Sequence, residues 1–259
     1  HATGQRSPMH PCYPRPVMSR DPALLAECRA LQQAIARHPT LASMRAAPEW
    51  PALALRFDAL LHRVHRYAPA AATLELAREG GPPAPDASAP GVVRAVHWNV
   101  EHGNGYEQIE AALLTHPALR DADLHLFNEI DLGMARAGNR DVTGDLARAL
   151  GRHGVWVPLF LETTIGRDDD AVTAAGRENE ESLFGLSILS RWPIGELRIV
   201  DLPSPEEVQF DVERMLGRNI GLIAAIERPG APFLAVAAHL EVHRTRAHRA
   251  AQMRLILDA

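Results

Sequence analysis

Seven short apolar runs occupy residues 92–100, 123–129, 155–163, 185–189, 197–202, 220–226 and 233–240. Apolar runs of that length, bounded by polar turns, predict β-strands. Helical periodicity is confined, in the same stretch, to residues 106–114, 144–150 and 245–257. Two helical crossovers therefore precede a run of strands with little helix between them. That order suits an α+β chain with two stacked mixed β-sheets flanked by helices, a four-layer α/β/β/α sandwich, better than a doubly wound parallel sheet. No GxGxxG follows the first strand and no P-loop is present, so a glycine cradle for nucleotides is unsupported.

The first ninety residues read differently. After a lead bearing Pro8, Pro11, Pro14 and Pro16, Asp21 and Pro22 form a helix start, and Leu24, Leu25, Cys28, Leu31 and Ile35 recur at helical spacing. Leu53, Phe57, Leu60, Leu61 and Val64 predict a second amphipathic helix. Residues 1–79 are thus expected to form a helical extension packed on the main domain, residues 80–91 (GGPPAPDASAPG, from Gly80) a linker, and residues 92–259 the main domain.

A formal net charge of -5 over 259 residues gives no global field for nucleic acid, so a polyanion would need a local basic patch. All 27 basic residues are Arg, which matches a chain rich in Ala and Pro more than a set of phosphate forks. Cys12 and Cys28 make neither a disulfide scaffold nor a structural zinc site. No run approaches a membrane span and no clear secretory signal precedes the domain, which favours the cytoplasm, although the chain starts at His1 rather than Met.

Polar residues at strand mouths mark the candidate site. Within 123–130 the side chains alternate, which puts Asp123, His125, Phe127 and Glu129 on one face and Leu124, Leu126, Asn128 and Ile130 on the other. Glu129 then arrives at the strand's C-terminal end, and Asn99 stands at the corresponding end of the first strand. One charged and one neutral oxygen suit a hard cation such as Mg2+, with Mn2+ as the alternative, that keeps most of its waters for substrate. His239 follows the apolar LAVAA and needs a reason to be polar. A zinc site of His239 and His243 with Glu241 or His248 is the competing reading, discounted because the HExxH spacing is absent. Glu241 and His243 are read as a solvated charged edge, as are Glu178, Glu180 and Glu181; His116, His125 and His153 are read as structural. His97, Glu101 and His102 rank below the main candidates.

In order, Trp98-Asn99-Val100, Phe127-Asn128-Glu129, the run Ser187 to Ile194 (SILSRWPI) and Ala238-His239-Leu240 resemble four motifs of the endonuclease/exonuclease/phosphatase superfamily. The similarity runs from about Val92 to the end. It implies metal-assisted hydrolysis of a phosphoester, most simply a phosphodiester, with Asn99 and Glu129 at the metal and His239 beside the scissile phosphate. Arg136, Asn139, Arg140 and Arg218 are the expected substrate contacts, and nucleic acid the expected polymer. For the first three, a plain Gly138-Asn139 turn with Asp131, Asp141 and Asp145 pairing the arginines is the alternative.

Two departures qualify the resemblance. Phe184-Gly185-Leu186 stands where many members carry HGN, and the sequence reaches Ala259 before the family's Asp-x-Asn and terminal Asp-His motifs. The expectation is a sandwich truncated at the C-terminus, or a fragment of a longer enzyme. Phospholipid or inositol phosphate cleavage, and a non-catalytic binding protein that keeps the sandwich, are the alternative functions.

Overall fold

The computed structural model describes residues 21–69, 91–166, 168–203, 214–241 and 244–259. Cys12, His243, the Pro-bearing lead and all of the linker but Gly91 lie outside them.

Asp21 opens the first helix as expected. Its carboxylate accepts from the Ala23 and Leu24 N–H groups, and Pro22 needs no partner at the first helical position, so α1 runs Pro22–Ala36. A capping box between Thr40 and Ser43 starts the short α2 (Leu41–Arg45), and α3 follows (Trp50–Leu61). Val64 falls beyond α3, just before β1 (His65–Tyr67).

Beyond the linker come β2 (Ala95–His102), α4 (Tyr106–Thr115), α5 (Pro117–Arg120) and β3 (Leu124–Leu132). Next are a 3-10 turn (Ala135–Ala137), α6 (Val142–Leu150), β4 (His153–Glu162), α7 (Asp168–Thr173) and β5 (Leu183–Ser190). The chain continues through β6 (Ile194–Leu202), β7 (Met215–Gly217), β8 (Asn219–Ile226), β9 (Phe233–Ala238) and α8 (Arg246–Leu257). All seven expected strands and three expected helices of the main domain are present. The short elements β1, β7, α2, α5 and α7 carry too few apolar residues to show a period, and α7 sits in what reads as a loop.

The first sheet has the order β1-β4-β5-β3-β2, with β7 also on β4, and is mixed because β2 and β3 run parallel. The second, β6-β8-β9, is antiparallel throughout its described strands rather than mixed.

Two cores follow from strand alternation. Leu126, Val155, Val157, Leu186 and Ile188 of the first sheet meet Ile220, Leu222, Ala224 and Ala237 of the second. On the other face of the first sheet, Phe127, Ile130, Trp156 and Leu189 share one core with Leu31 and Ile35 of α1, Phe57 of α3, Leu113 of α4 and Leu146 of α6. Helices α1–α3 therefore pack, with α4 and α6, on the outer face of the first sheet. Both faces of β4 and β5 are covered, which explains their unbroken apolar sequence. On the far side of the second sheet, α8 lies so close at Gly221 that a β-carbon there would meet Ile256 Cγ1 at 2.6 Å. Among the described residues no helix is long and apolar enough to cross a membrane.

Candidate active site

Parallel pairing sets the site. Because β2 and β3 run the same way, their C-terminal ends emerge together, with Asn99 directly opposite Asn128. Beyond that pair both strands lose register. Glu129 has a φ of 51°, and Glu101 and His102 have φ of 47° and 66°, three non-glycine residues in the left-handed region on two paired strands, β2 and β3. Each such residue costs on the order of 1–3 kcal/mol and persists only where the surroundings enforce it.

The irregularity at Glu129 changes where its side chain goes. Strict alternation would put Glu129 on the Phe127 face, under the helices. Instead Phe127 and Ile130 both lie in the helix-side core, three positions apart, and Asn128 and Glu129 turn toward the second sheet. Asn128 Nδ2 donates to the Ala238 carbonyl at the end of β9 (3.2 Å), and Glu129 Oε1 lies 3.1 Å from Nε2 of the next residue, His239. The site is therefore a seam between the two sheets.

Glu129 is a firmly ionised carboxylate. The hydrogen bond from His239 outweighs the effect of burial, and with the charges of His102 and His239 and a hydrogen bond from Asn99 it brings the carboxyl down to about 2. An ionised carboxylate only accepts, so the shared proton sits on His239 Nε2. Asn99 Oδ1 accepts from the Glu101 N–H at 3.0 Å, which leaves its amide nitrogen for Glu129. Asn99, Glu129 and His239 are thus brought together as the sequence suggests.

A hard cation fits this set. Glu129 keeps 23% of its side-chain surface open, an amide lies beside it, and the buried Asn128 Oδ1 next to it has no hydrogen-bond partner among the described residues. One carboxylate with neutral oxygens is the donor set of an ion that stays largely hydrated. Among the described residues no three His, Cys, Asp or Glu side chains gather into a cage of their own. His248 turns instead to the Pro203 carbonyl.

The four proposed substrate contacts are occupied elsewhere. Arg136 is fully buried, with Nε 2.8 Å from Asp131 Oδ2 and Nη2 3.1 Å from Glu162 Oε2; a phosphate in solvent does not reach it. Arg140 lies over the Tyr106 ring and pairs with Glu107 and Asp145. Asn139 occupies a left-handed turn after Gly138 and donates to the Glu178 carbonyl. Arg218 donates to the Leu61 carbonyl at the end of α3 and pairs with Asp201. Of the turn-and-ion-pair alternative, Asp131 pairs with Arg136 and Asp145 with Arg140, whereas Asp141 caps α6 at Gly144 and accepts from the Tyr67 hydroxyl.

Other assignments change as well. Glu241 is buried, with its N–H on Gln252 Oε1, and Glu181 is buried beside Gly133; neither is a solvated edge. His125 is structural, as expected: its Nε2 meets the Leu119 carbonyl at 2.7 Å. What sequence reasoning undervalued is the group behind Glu129. His102 Nδ1 lies 3.6 Å from Asp131 Oδ1, and the charge of a lone Asp in an apolar strand five residues before an Arg was the available signal.

No family model matches the chain, and no curated protein sequence matches it. Among solved structures it is similar to an endonuclease/exonuclease/phosphatase from Beutenbergia cavernae DSM 12333, at 18% identity and TM-score 0.45 over 64% of this chain and 43% of that one. It is also similar to TDP2 from D. rerio, a complex with single strand DNA product, at 18% identity and TM-score 0.35, over 64% of this chain and 53% of that one. TDP2 from Caenorhabditis elegans matches at 13% identity and TM-score 0.34, over 100% of this chain and 66% of that one. The chain spans less than two thirds of the length of each.

Proposed function

We propose that this chain is a metal-dependent phosphoester hydrolase that cleaves a phosphodiester by in-line attack of water, with Mg2+, or Mn2+ in its place, at Glu129 and Asn99. The observation that carries the reading is the Glu129–His239 contact at 3.1 Å across the two sheets, at the mouth of parallel strands. An anionic carboxylate and an imidazole donor side by side are the pair needed to hold a cation and a phosphate together.

The bound cation would neutralise a non-bridging oxygen and lower the barrier to attack. Glu129, with a carboxyl held near 2, is ionised across the neutral range and needs no proton removed before it can act as a ligand. Asn99 fixes the direction of that carboxylate. His239 carries its proton on Nε2, the atom facing the site, where it serves as donor to a phosphate oxygen as charge develops. The strained backbone at Glu101, His102 and Glu129 holds these groups at the strand tips.

We assign the bond and leave the polymer open. The basic groove that would favour nucleic acid was to come from Arg136, Arg140 and Arg218, and all three are engaged with carboxylates of the protein. The test is Mn2+ binding by calorimetry, with hydrolysis of bis(p-nitrophenyl) phosphate followed in parallel. Glu129→Gln should lose both. Unchanged metal affinity in that variant would remove the ligand assignment and the hydrolase reading with it.

A further inference from the structure

His102 ranks low in the sequence, three residues past Asn99. In the β2–β3 pairing, however, it stands opposite Ile130, the residue after Glu129. It reaches that place through two successive left-handed residues, Glu101 and itself, a backbone path that a mere surface histidine does not require.

The ring is gripped from behind. Nδ1 is buried, makes no hydrogen bond to the described residues, and lies 3.6 Å from Asp131 Oδ1, an ion-pair distance. Asp131 is fully buried and accepts two hydrogen bonds from Arg136, at 2.8 Å from Nε and 3.1 Å from Nη2. Arg136 is anchored in turn on Glu162 at 3.1 Å. Phe184 meets the imidazole edge-on, with ring centroids 5.7 Å apart. Burying such an ion pair costs much of its own attraction, so it is weak as a device for stability and strong as one for orientation. With Nδ1 turned inward, Nε2 is the ring's remaining polar atom, and 19% of the side chain stays open. Burial opposes protonation of this imidazole, yet Asp131 overrides it and raises the pKa, and the charge is felt at Glu129.

We propose that His102 is a second phosphate-contacting imidazole of this site, with Nε2 donating to a non-bridging oxygen while Asp131, held by Arg136, fixes the ring's direction. The inference rests on the phosphoester reading above. It makes Asp131 and Arg136 positioning residues and gives the site two imidazole donors, one from each sheet.

The experiment is an NMR titration of the 259-residue protein with inorganic phosphate in the presence of Mg2+, following the histidine Cε1–H signals. His102 is assigned in the unaltered protein by its NOE to the Phe184 ring, so the measurement holds even if a variant fails to fold. Signals of His102 and His239 should move together with one midpoint. His102→Gln should weaken phosphate binding about tenfold, the loss of one charge-assisted hydrogen bond, and Asp131→Asn by a smaller factor. Movement of His239 alone overturns the proposal and leaves the phosphoester reading standing. A titration that moves neither signal overturns both.

Discussion

His239 Nε2 lies 3.1 Å from Glu129 Oε1, and the two residues belong to different sheets. The contact depends on the left-handed backbone at Glu129, since a regular strand would have turned the carboxylate under the helices. Changing either partner therefore tests the seam between the sheets as well as the chemistry. Glu129→Gln should lower Mn2+ affinity at least about tenfold, as expected when an ionised ligand becomes neutral, whereas His239→Gln should leave metal affinity within about twofold and weaken phosphate binding. Calorimetric titrations of the two variants against the same ion decide between them.

Arg136 and Arg140 should respond very differently to truncation. Arg136→Ala removes the guanidinium that the buried Asp131 and Glu162 share, a loss of about 3–5 kcal/mol. Arg140→Ala removes pairs to the exposed Glu107 and the partly open Asp145, worth about 1 kcal/mol or less, plus a stacking contact on Tyr106. Urea unfolding midpoints of both variants give the comparison. Equal losses would mean that the Asp131–Arg136 pair is not buried as described.

Acid should weaken the fold between about pH 6.5 and 4. Burial pulls both His65 and His125 down to about 4, so in that window the unfolded chain binds protons that the folded one refuses, and stability falls as pH falls. For His125 the effect amounts to about 3 kcal/mol over the full window. Asp141 works in the opposite sense. Burial raises its carboxyl to about 6, the folded state takes up the proton first, and stability rises as pH falls from about 6 toward the ordinary carboxylate range. Asp141→Asn, which can still cap α6, should therefore make the acid loss steeper, and His125→Phe should make it shallower. Denaturant titrations at pH 7 and pH 4.5 measure both slopes.

Gly221 should tolerate no side chain. A β-carbon would lie 2.6 Å from Ile256 Cγ1 and 2.8 Å from its Cδ1, so Gly221→Ala should destabilise by about 1–3 kcal/mol through overpacking of α8 on the second sheet. Combined with Ile256→Ala, the loss should be smaller than the sum of the two single changes. Additive losses would show that α8 does not rest there.

The sequence carried the strand order and the ends of the elements, because both are local. Alternation and apolar runs mark β2 to β6, β8 and β9, Asp21-Pro22 marks the start of α1, and Gly151, left-handed at φ 60°, closes α6 where the pattern stops. Asn99, Glu129 and His239 were legible because polar residues end otherwise apolar strands. Arg136, Arg140 and Arg218 misled for the converse reason: an arginine has the same letter whether it faces solvent or an ion partner, and its partners lie in other elements.

Which residues share a site was decided only by tertiary structure. The single-residue irregularity at Glu129 reverses the face that alternation predicts, and the fold brings β9 from another sheet to meet it. Asp131 looked like a surface charge and proves to be the buried link between Arg136 and His102. Sequence determines where polar groups interrupt apolar ones; sheet stacking decides which interruptions touch, because that depends on register and layer order rather than on neighbours in the chain.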